Sequence, residues 1–120
     1  MLLALDAHDA LYAWCGERIA ARALARRGLV ILARRLATRW AELDLVARDG
    51  TTLVVIEVKT GRRGPRFRPA MRVRAEDLER LRRAARGLAR GGTWRVDVLE
   101  VGLVEGRVEL AHWLDFREPL

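Results

Sequence analysis

The stretch AELDLVARDGTTLVVIEVK, residues 41 to 59, constrains the chain more than any other, because it reads as a β-hairpin carrying, besides Asp49 at its turn, three acids and a lysine among apolar residues. Residues 42 to 48 set Leu43, Leu45 and Ala47 against Glu42, Asp44 and Val46, and residues 53 to 59 are a Val/Ile-rich run. Asp49-Gly50 between them is a strong two-residue hairpin signal. With Asp49 and Gly50 as the loop, Arg48 pairs with Thr51, Asp44 stands opposite Val55, and Glu42 stands opposite Glu57. Opposed side chains share a face. Glu42, Asp44, Glu57 and Lys59 then lie on one side, with Asp44 diagonal to Glu57 at roughly 7 Å between Cβ atoms. A one-residue slip would send Asp44 and Glu57 to opposite faces.

Ionised carboxylates gathered at the end of apolar strands are costly without a partner or a metal. Magnesium suits such a place, since it takes a few carboxylates and keeps waters or substrate phosphates as its other ligands; manganese is the usual substitute in assay. A lysine beside the metal would orient the attacking water or, as the neutral amine, deprotonate it, and as an ammonium would offset charge on the phosphate. The chemistry indicated is phosphodiester hydrolysis. Of 23 basic side chains, Lys59 is the single lysine, and lysine can give up a proton near neutral pH where arginine cannot. The plainer alternative is a lysine that ends a strand and points to water.

These residues carry a resemblance. Asp44 with Glu57-Val58-Lys59 looks like the active-site signature of the PD-(D/E)XK nuclease superfamily. More closely, the chain from about Gly16 to Phe116 is similar to the YraN-like family, whose members are usually described as predicted endonucleases. The matching pieces are Gly16-Glu17 with Ala20 and Leu24, Gly28 before an apolar strand, Glu42-Leu43-Asp44-Leu45, Glu57-Val58-Lys59-Thr60 and Arg95-Val96-Asp97-Val98. The chain departs from the family at Ala41, usually Gly; Gly61, usually basic; Arg35, usually Asn; and Asp77, usually Lys. None of these touches Asp44, Glu57 or Lys59.

The resemblance implies a metal-dependent DNA endonuclease of repair or recombination, with Asp44, Glu57 and Glu42 around Mg2+ or Mn2+, Lys59 at the water, and Glu17 joining from the first helix. It also implies a restriction-endonuclease-like α/β fold, and small nucleases of this type commonly form homodimers. The competing reading is a nucleic-acid-binding module of the same fold without turnover. Glu17 itself falls on the stripe of Ala13, Ala20 and Leu24, where an apolar residue belongs; its other reading is a glutamate at the stripe's edge paired with Arg18, Arg22 or another arginine.

A chain of 120 residues reads as one domain, residues 1–120, able to bury a core without disulfides or structural metal. Cys15 has no second cysteine to pair with, His8 and His112 stand alone and read as surface or cap residues, and the absence of serine removes serine-hydrolase chemistry. No apolar run would span a bilayer and the opening residues lack a basic signal region, so a cytoplasmic protein with no membrane partner is expected. A net charge of +7 favours nucleic acid as partner.

Along the chain, residues 7 to 27 read as a helix, 29 to 33 as a strand, and 34 to 40 as a basic connection into the hairpin. Residues 61 to 74 read as a loop, in which Arg62, Arg63, Arg66 and Arg68 around Phe67 form either a nucleic-acid contact or a solvated charge run. Residues 75 to 90 read as a second helix, and 94–101 and 107–114 as a strand pair about a turn from Gly102 to Gly106. Asp97 reads as a structural acid. The expected architecture is a mixed sheet flanked by helices.

Overall fold

The computed structural model describes residues 9–120; the opening segment with His8, and the side chain of Ala13, lie outside the residues described. Five strands form one sheet in the order β1 (Val30–Ala37), β2 (Glu42–Asp49), β3 (Thr52–Arg62), β4 (Trp94–Val104), β5 (Arg107–Trp113). All neighbours are antiparallel except β3 and β4, which run parallel because helix α2 (Ala75–Ala89) lies between them in sequence and carries the chain back. Helix α1 (Asp9–Arg26) precedes β1. This is the mixed α/β sheet with flanking helices that the order of elements led one to expect.

The pleat divides the core in two. Val54 and Ile56 of β3 and Leu99 and Val101 of β4 pack with Ala20, Ala21 and Leu24 of α1. Val55, Val96 and Val98 pack on the opposite side with Leu78, Leu81, Ala84 and Ala85 of α2. Both central strands are covered on both faces, which is why they read as continuous Val/Ile/Leu runs. Each fully enclosed Leu or Ile contributes about 1.5–3 kcal/mol relative to an exposed one.

The hairpin has a different turn from the one expected. Asp49 pairs with Thr52, so Gly50 and Thr51 form the loop. Gly50 takes φ +60 and Thr51 is not among the positive-φ residues, the requirement of a turn with glycine at its first central position. The register is therefore displaced by two residues, with Leu45 opposite Ile56 and Val46 opposite Val55. A shift of two preserves the faces as far as the pairing runs, to Leu45 and Ile56.

Three boundaries also differ. Arg34 to Ala37, expected as a connection, belongs to edge strand β1, which pairs with β2 through Leu36 and Leu43 and carries an irregularity between Ile31 and Ala33. The expected loop after Lys59 is partly ordered: β3 continues to Arg62, Gly64 bridges Phe67, and Pro69–Arg72 form a 3-10 turn. Strand β4 runs on to Val104, which leaves Glu105 and Gly106 as the turn into β5.

One contact fixes α1 beside the hairpin. A Cβ on Gly16 would strike the Thr60 hydroxyl, so helix and strand touch without an intervening side chain. Alanine is worth about 1 kcal/mol more than glycine in a helix interior, yet overpacking of this kind costs typically 1–3 kcal/mol. Gly16→Ala is expected to be destabilised in urea unfolding; a raised midpoint would show that α1 slides freely on β3.

Candidate metal-binding and hydrolytic site

Strands β2 and β3 part at Asp44. Their pairing ends at Leu45 and Ile56, and beyond it the Val58 N–H donates to the Asp44 carboxylate at 2.8 Å instead of to a strand carbonyl. The alternation of β2 breaks at the same place: Leu45 packs on the α1 side whereas Leu43 packs in the α2-side cluster. An aspartate at this fork satisfies a backbone donor that the separating strands would otherwise leave orphaned.

Glu57 stands across from Asp44, close enough for the two carboxyls to share a hydrogen bond. Lys59, two residues along the same face of β3, puts its ammonium 3.1 Å from the Glu57 carboxylate. Both side chains are mostly covered, with 16% of Glu57 and 24% of Lys59 exposed. Burial pushes the Asp44 carboxyl up to about 7, with the neighbouring Glu57 charge and the shared hydrogen bond acting the same way; the Val58 N–H and Lys59 only partly oppose them. Asp44, Glu57 and Lys59 thus come together as a compact acid pair with one ammonium.

Glu42 and Glu57 line a small cleft of about 190 Å3 with Ala41, Asp77, Arg80 and Leu81, at the start of α2. Asp77, one of the departures from the family pattern, is occupied there by Arg80 at 2.6 Å and by the Arg74 N–H at 2.9 Å. Among the described residues, no three carboxylate, imidazole or thiol groups come near enough together to hold one metal ion. Asp44 and Glu57 nonetheless fit a hard divalent cation of the magnesium kind, which uses one or two carboxylates and fills its other positions with water and substrate oxygens. They do not form a closed cage.

Glu17 is engaged elsewhere. Arg35 Nε donates to Glu17 Oε1 at 2.8 Å, which is the arginine pairing of the two readings, with Arg35 of β1 in place of a neighbour on the helix. Arg35 adopts φ 49, a left-handed conformation that asparagine tolerates better than arginine. Its guanidinium also lies in the field of Glu42 and Asp44, and its pKa is raised by Glu17 foremost. Arg35 therefore links the helix acid to the strand acids through charge.

The arginine loop is split by a buried acid that sequence reasoning passed over. Glu100 is fully enclosed and accepts from Arg68 at 2.8 Å and from the Ala70 N–H at 3.1 Å, with Arg63 at 3.8 Å. Arg63 also reaches Glu109 at 2.8 Å, and Arg68 lies over the Trp113 ring. Arg63 and Arg68 consequently tie the loop to the sheet, while Arg62, Arg66 and Phe67 remain exposed. An acid inside the run Val98-Leu99-Glu100-Val101 was the available signal.

His112 is also not the surface residue expected. Its side chain is 4% exposed and its Nε2 meets the enclosed Asp97 carboxylate at 2.9 Å, while its Nδ1 faces Arg27 at 2.9 Å. Asp97 accepts further from Arg95 and from the Asp115 N–H, and is the structural acid anticipated.

Comparison with known proteins places the chain. Residues 16–101 match the uncharacterised protein family UPF0102, a span that holds Glu17, Asp44, Glu57, Lys59 and Glu100. A UPF0102 protein of Streptomyces coelicolor is 43% identical over 93 residues, 72% of each chain. One from Acidothermus cellulolyticus is 48% identical over 87 residues, covering 71% of this chain and 65% of its own. One from Herpetosiphon aurantiacus is 32% identical over 117 residues, covering 90% of this chain and 94% of its own. The chain belongs to the UPF0102 family, the YraN-like family that its motifs resemble.

Proposed function

We propose that this protein is a metal-dependent nuclease that hydrolyses phosphodiester bonds in DNA, in repair or recombination. The observation that carries the reading is the fork at Asp44: a carboxyl lifted to about 7 against Glu57, with the single lysine of the chain 3.1 Å from Glu57. A fold does not bury two mutually repelling acids without a use for their charge, and a divalent cation is the partner that relieves both. Bound there, Mg2+ or Mn2+ would polarise the scissile phosphate and lower the pKa of an attacking water.

The chain's own groups do the rest. Asp44 is held by the Val58 N–H with an oxygen directed at Glu57, so the acid pair keeps its spacing without rearrangement. Lys59 lies beside the pair, where as an ammonium it can hold a phosphate oxygen and as the neutral amine it can take a proton from water, and its contact with Glu57 fixes its direction. Glu42 and Glu17 assist from the cleft rim and from α1, the latter only after Arg35 releases it.

The test is incubation of purified protein with linear, flapped and branched DNA in Mg2+ or Mn2+. Cleavage that disappears in Lys59→Ala is the expected result. No cleavage of any of these substrates by the parent protein would remove the enzyme reading. A binding module without turnover is favoured by one observation, the Arg35–Glu17 ion pair, which withholds the helix acid; it requires salt-sensitive DNA binding that no divalent cation alters.

A further inference from the structure

The exposed side of α2 carries a feature that the acid pair does not use. Trp40 and the C-terminal tail stand against the helix and enclose an open groove of about 800 Å3. Arg82, Arg83, Arg86, Arg90 and Arg117 line it, against the single carboxylate of Glu79. Glu79 is already neutralised by Arg83 at 2.8 Å, Arg117 pairs with Asp115, and Arg82 lies over Trp94. Among the described residues, Arg86 and Arg90 have no carboxylate partner.

Arg83 and Arg86, three residues apart, project from one side of α2, and Arg90, in the left-handed conformation just past the helix end, lines the same groove. Gly87 lies among them, and a Cβ there would collide with the Trp40 ring, so the tryptophan is seated directly on the helix as a wall of the groove. Like charges in this density repel one another and favour an occupant with repeated negative charge.

We infer that this groove is the track for one strand of nucleic acid, its phosphates held by Arg83, Arg86 and Arg90. The inference deepens the nuclease reading and rests on it for the class of partner. A concave, basic channel walled by an aromatic ring suits a single strand following its backbone, whereas a duplex would present a convex surface to it. The groove also leads to the acid pair: Trp40 lines the groove and Ala41 the cleft of Glu42 and Glu57, and Leu78 and Leu81 of α2 divide in the same way. A strand leaving the groove along α2 reaches the cleft lined by Glu42 and Glu57. The exposed loop arginines Arg62 and Arg66 are then a secondary contact.

The experiment is fluorescence anisotropy of a labelled single-stranded DNA oligonucleotide, in EDTA and over a range of salt. Three full-length proteins are compared, each checked by thermal unfolding: the parent, the triple variant Arg83→Gln, Arg86→Gln, Arg90→Gln, and the loop variant Arg62→Gln, Arg66→Gln. The triple variant is expected to bind at least tenfold more weakly at low salt, with its log-log salt slope reduced by about 0.7 for each phosphate no longer neutralised. The loop variant should lose less. The proposal is overturned if the parent does not bind the oligonucleotide, if the triple variant keeps its affinity and slope, or if unlabelled duplex competes as well as unlabelled single strand. Because the measurement excludes metal, it is separable from cleavage. Groove-dependent binding without cleavage by the parent ends the nuclease reading alone, and cleavage with groove-independent binding ends this one alone.

Discussion

Asp44→Asn is expected to make the metal-free protein more stable at pH 8 by about 4 kcal/mol while abolishing its response to divalent cations. The Asp44 carboxyl is lifted to about 7 in the folded protein, against an ordinary value near 4 once unfolded, and each pH unit between them is worth about 1.36 kcal/mol. The folded state holds this proton more tightly, so the contribution of Asp44 to stability is greatest below about pH 4, erodes as pH rises from there to about 7, and is at its most unfavourable above. Asparagine has no proton to lose, and its side-chain oxygen still accepts from the Val58 N–H. The gain should therefore be present at pH 8 and vanish near pH 4, visible as a rise in Tm of roughly 15 °C at the higher pH. Calorimetric titration with Mn2+ supplies the second half: heat of binding in the parent and none in the variant. A variant less stable than the parent at pH 8 would mean that Asp44 is a structural acid, and the metal reading would lose its principal support.

That opposition of sign is what distinguishes an acid kept for chemistry from one kept for architecture. Asp44 and Asp97 were both readable in the sequence as acids inside strands, and the structure separates them by their partners. Asp44 faces another carboxylate; Asp97 faces an arginine and a histidine.

The hairpin shows why the site was legible while its detail was not. The pair Asp49-Gly50 announced a turn, but glycine was needed at the first central position instead of the second, and this moved the register by two. Parity survived because a side-chain period of two is insensitive to an even shift, and Asp44, Glu57 and Lys59 come together. The parallel pairing of β3 with β4 followed from a helix falling between two apolar runs. Arg34 to Ala37 was obscured because an edge strand half open to water does not need an apolar face at every second residue, and two consecutive arginines look like a linker. The arginine loop misled in the other direction. Its composition is that of a mobile charge run, and only the enclosed Glu100, distant in sequence, shows that Arg63 and Arg68 are anchors. Likewise Arg35 reaches Glu17 across 18 positions of sequence, which no local pattern reveals.

Asp97→Ala is expected to be the most destabilising single truncation of a charged side chain among the groups described. Asp97 has no exposed surface and accepts from four donors: Arg95 Nε at 2.9 Å and its Nη2 at 3.3 Å, the Asp115 N–H at 2.9 Å, and His112 Nε2 at 2.9 Å in the tautomer that carries its proton there. Burial pushes its carboxyl up, but His112, Arg95 and the Asp115 N–H prevail and hold it below the usual carboxylate value. Alanine would leave the imidazole without an acceptor where it is 4% exposed, and would orphan the Asp115 N–H, which positions the following Phe116 against the core. Arg95 would keep only its 2.9 Å contact with Asp49. Removing one member of such a buried set costs about 3–5 kcal/mol, a large part of the stability of a domain of this size. The folded pKa is depressed, so the stabilisation exists above the ordinary carboxylate value and is lost as pH falls through the lower folded one. The difference between parent and variant, measured by urea unfolding, should accordingly be full at pH 7 and shrink only below about pH 4. A loss under about 1 kcal/mol at pH 7 would show that the hydrogen bonds of Asp97 are replaced by water, and that β5 and the segment after it are held to the sheet by the β4 ladder and apolar packing without it.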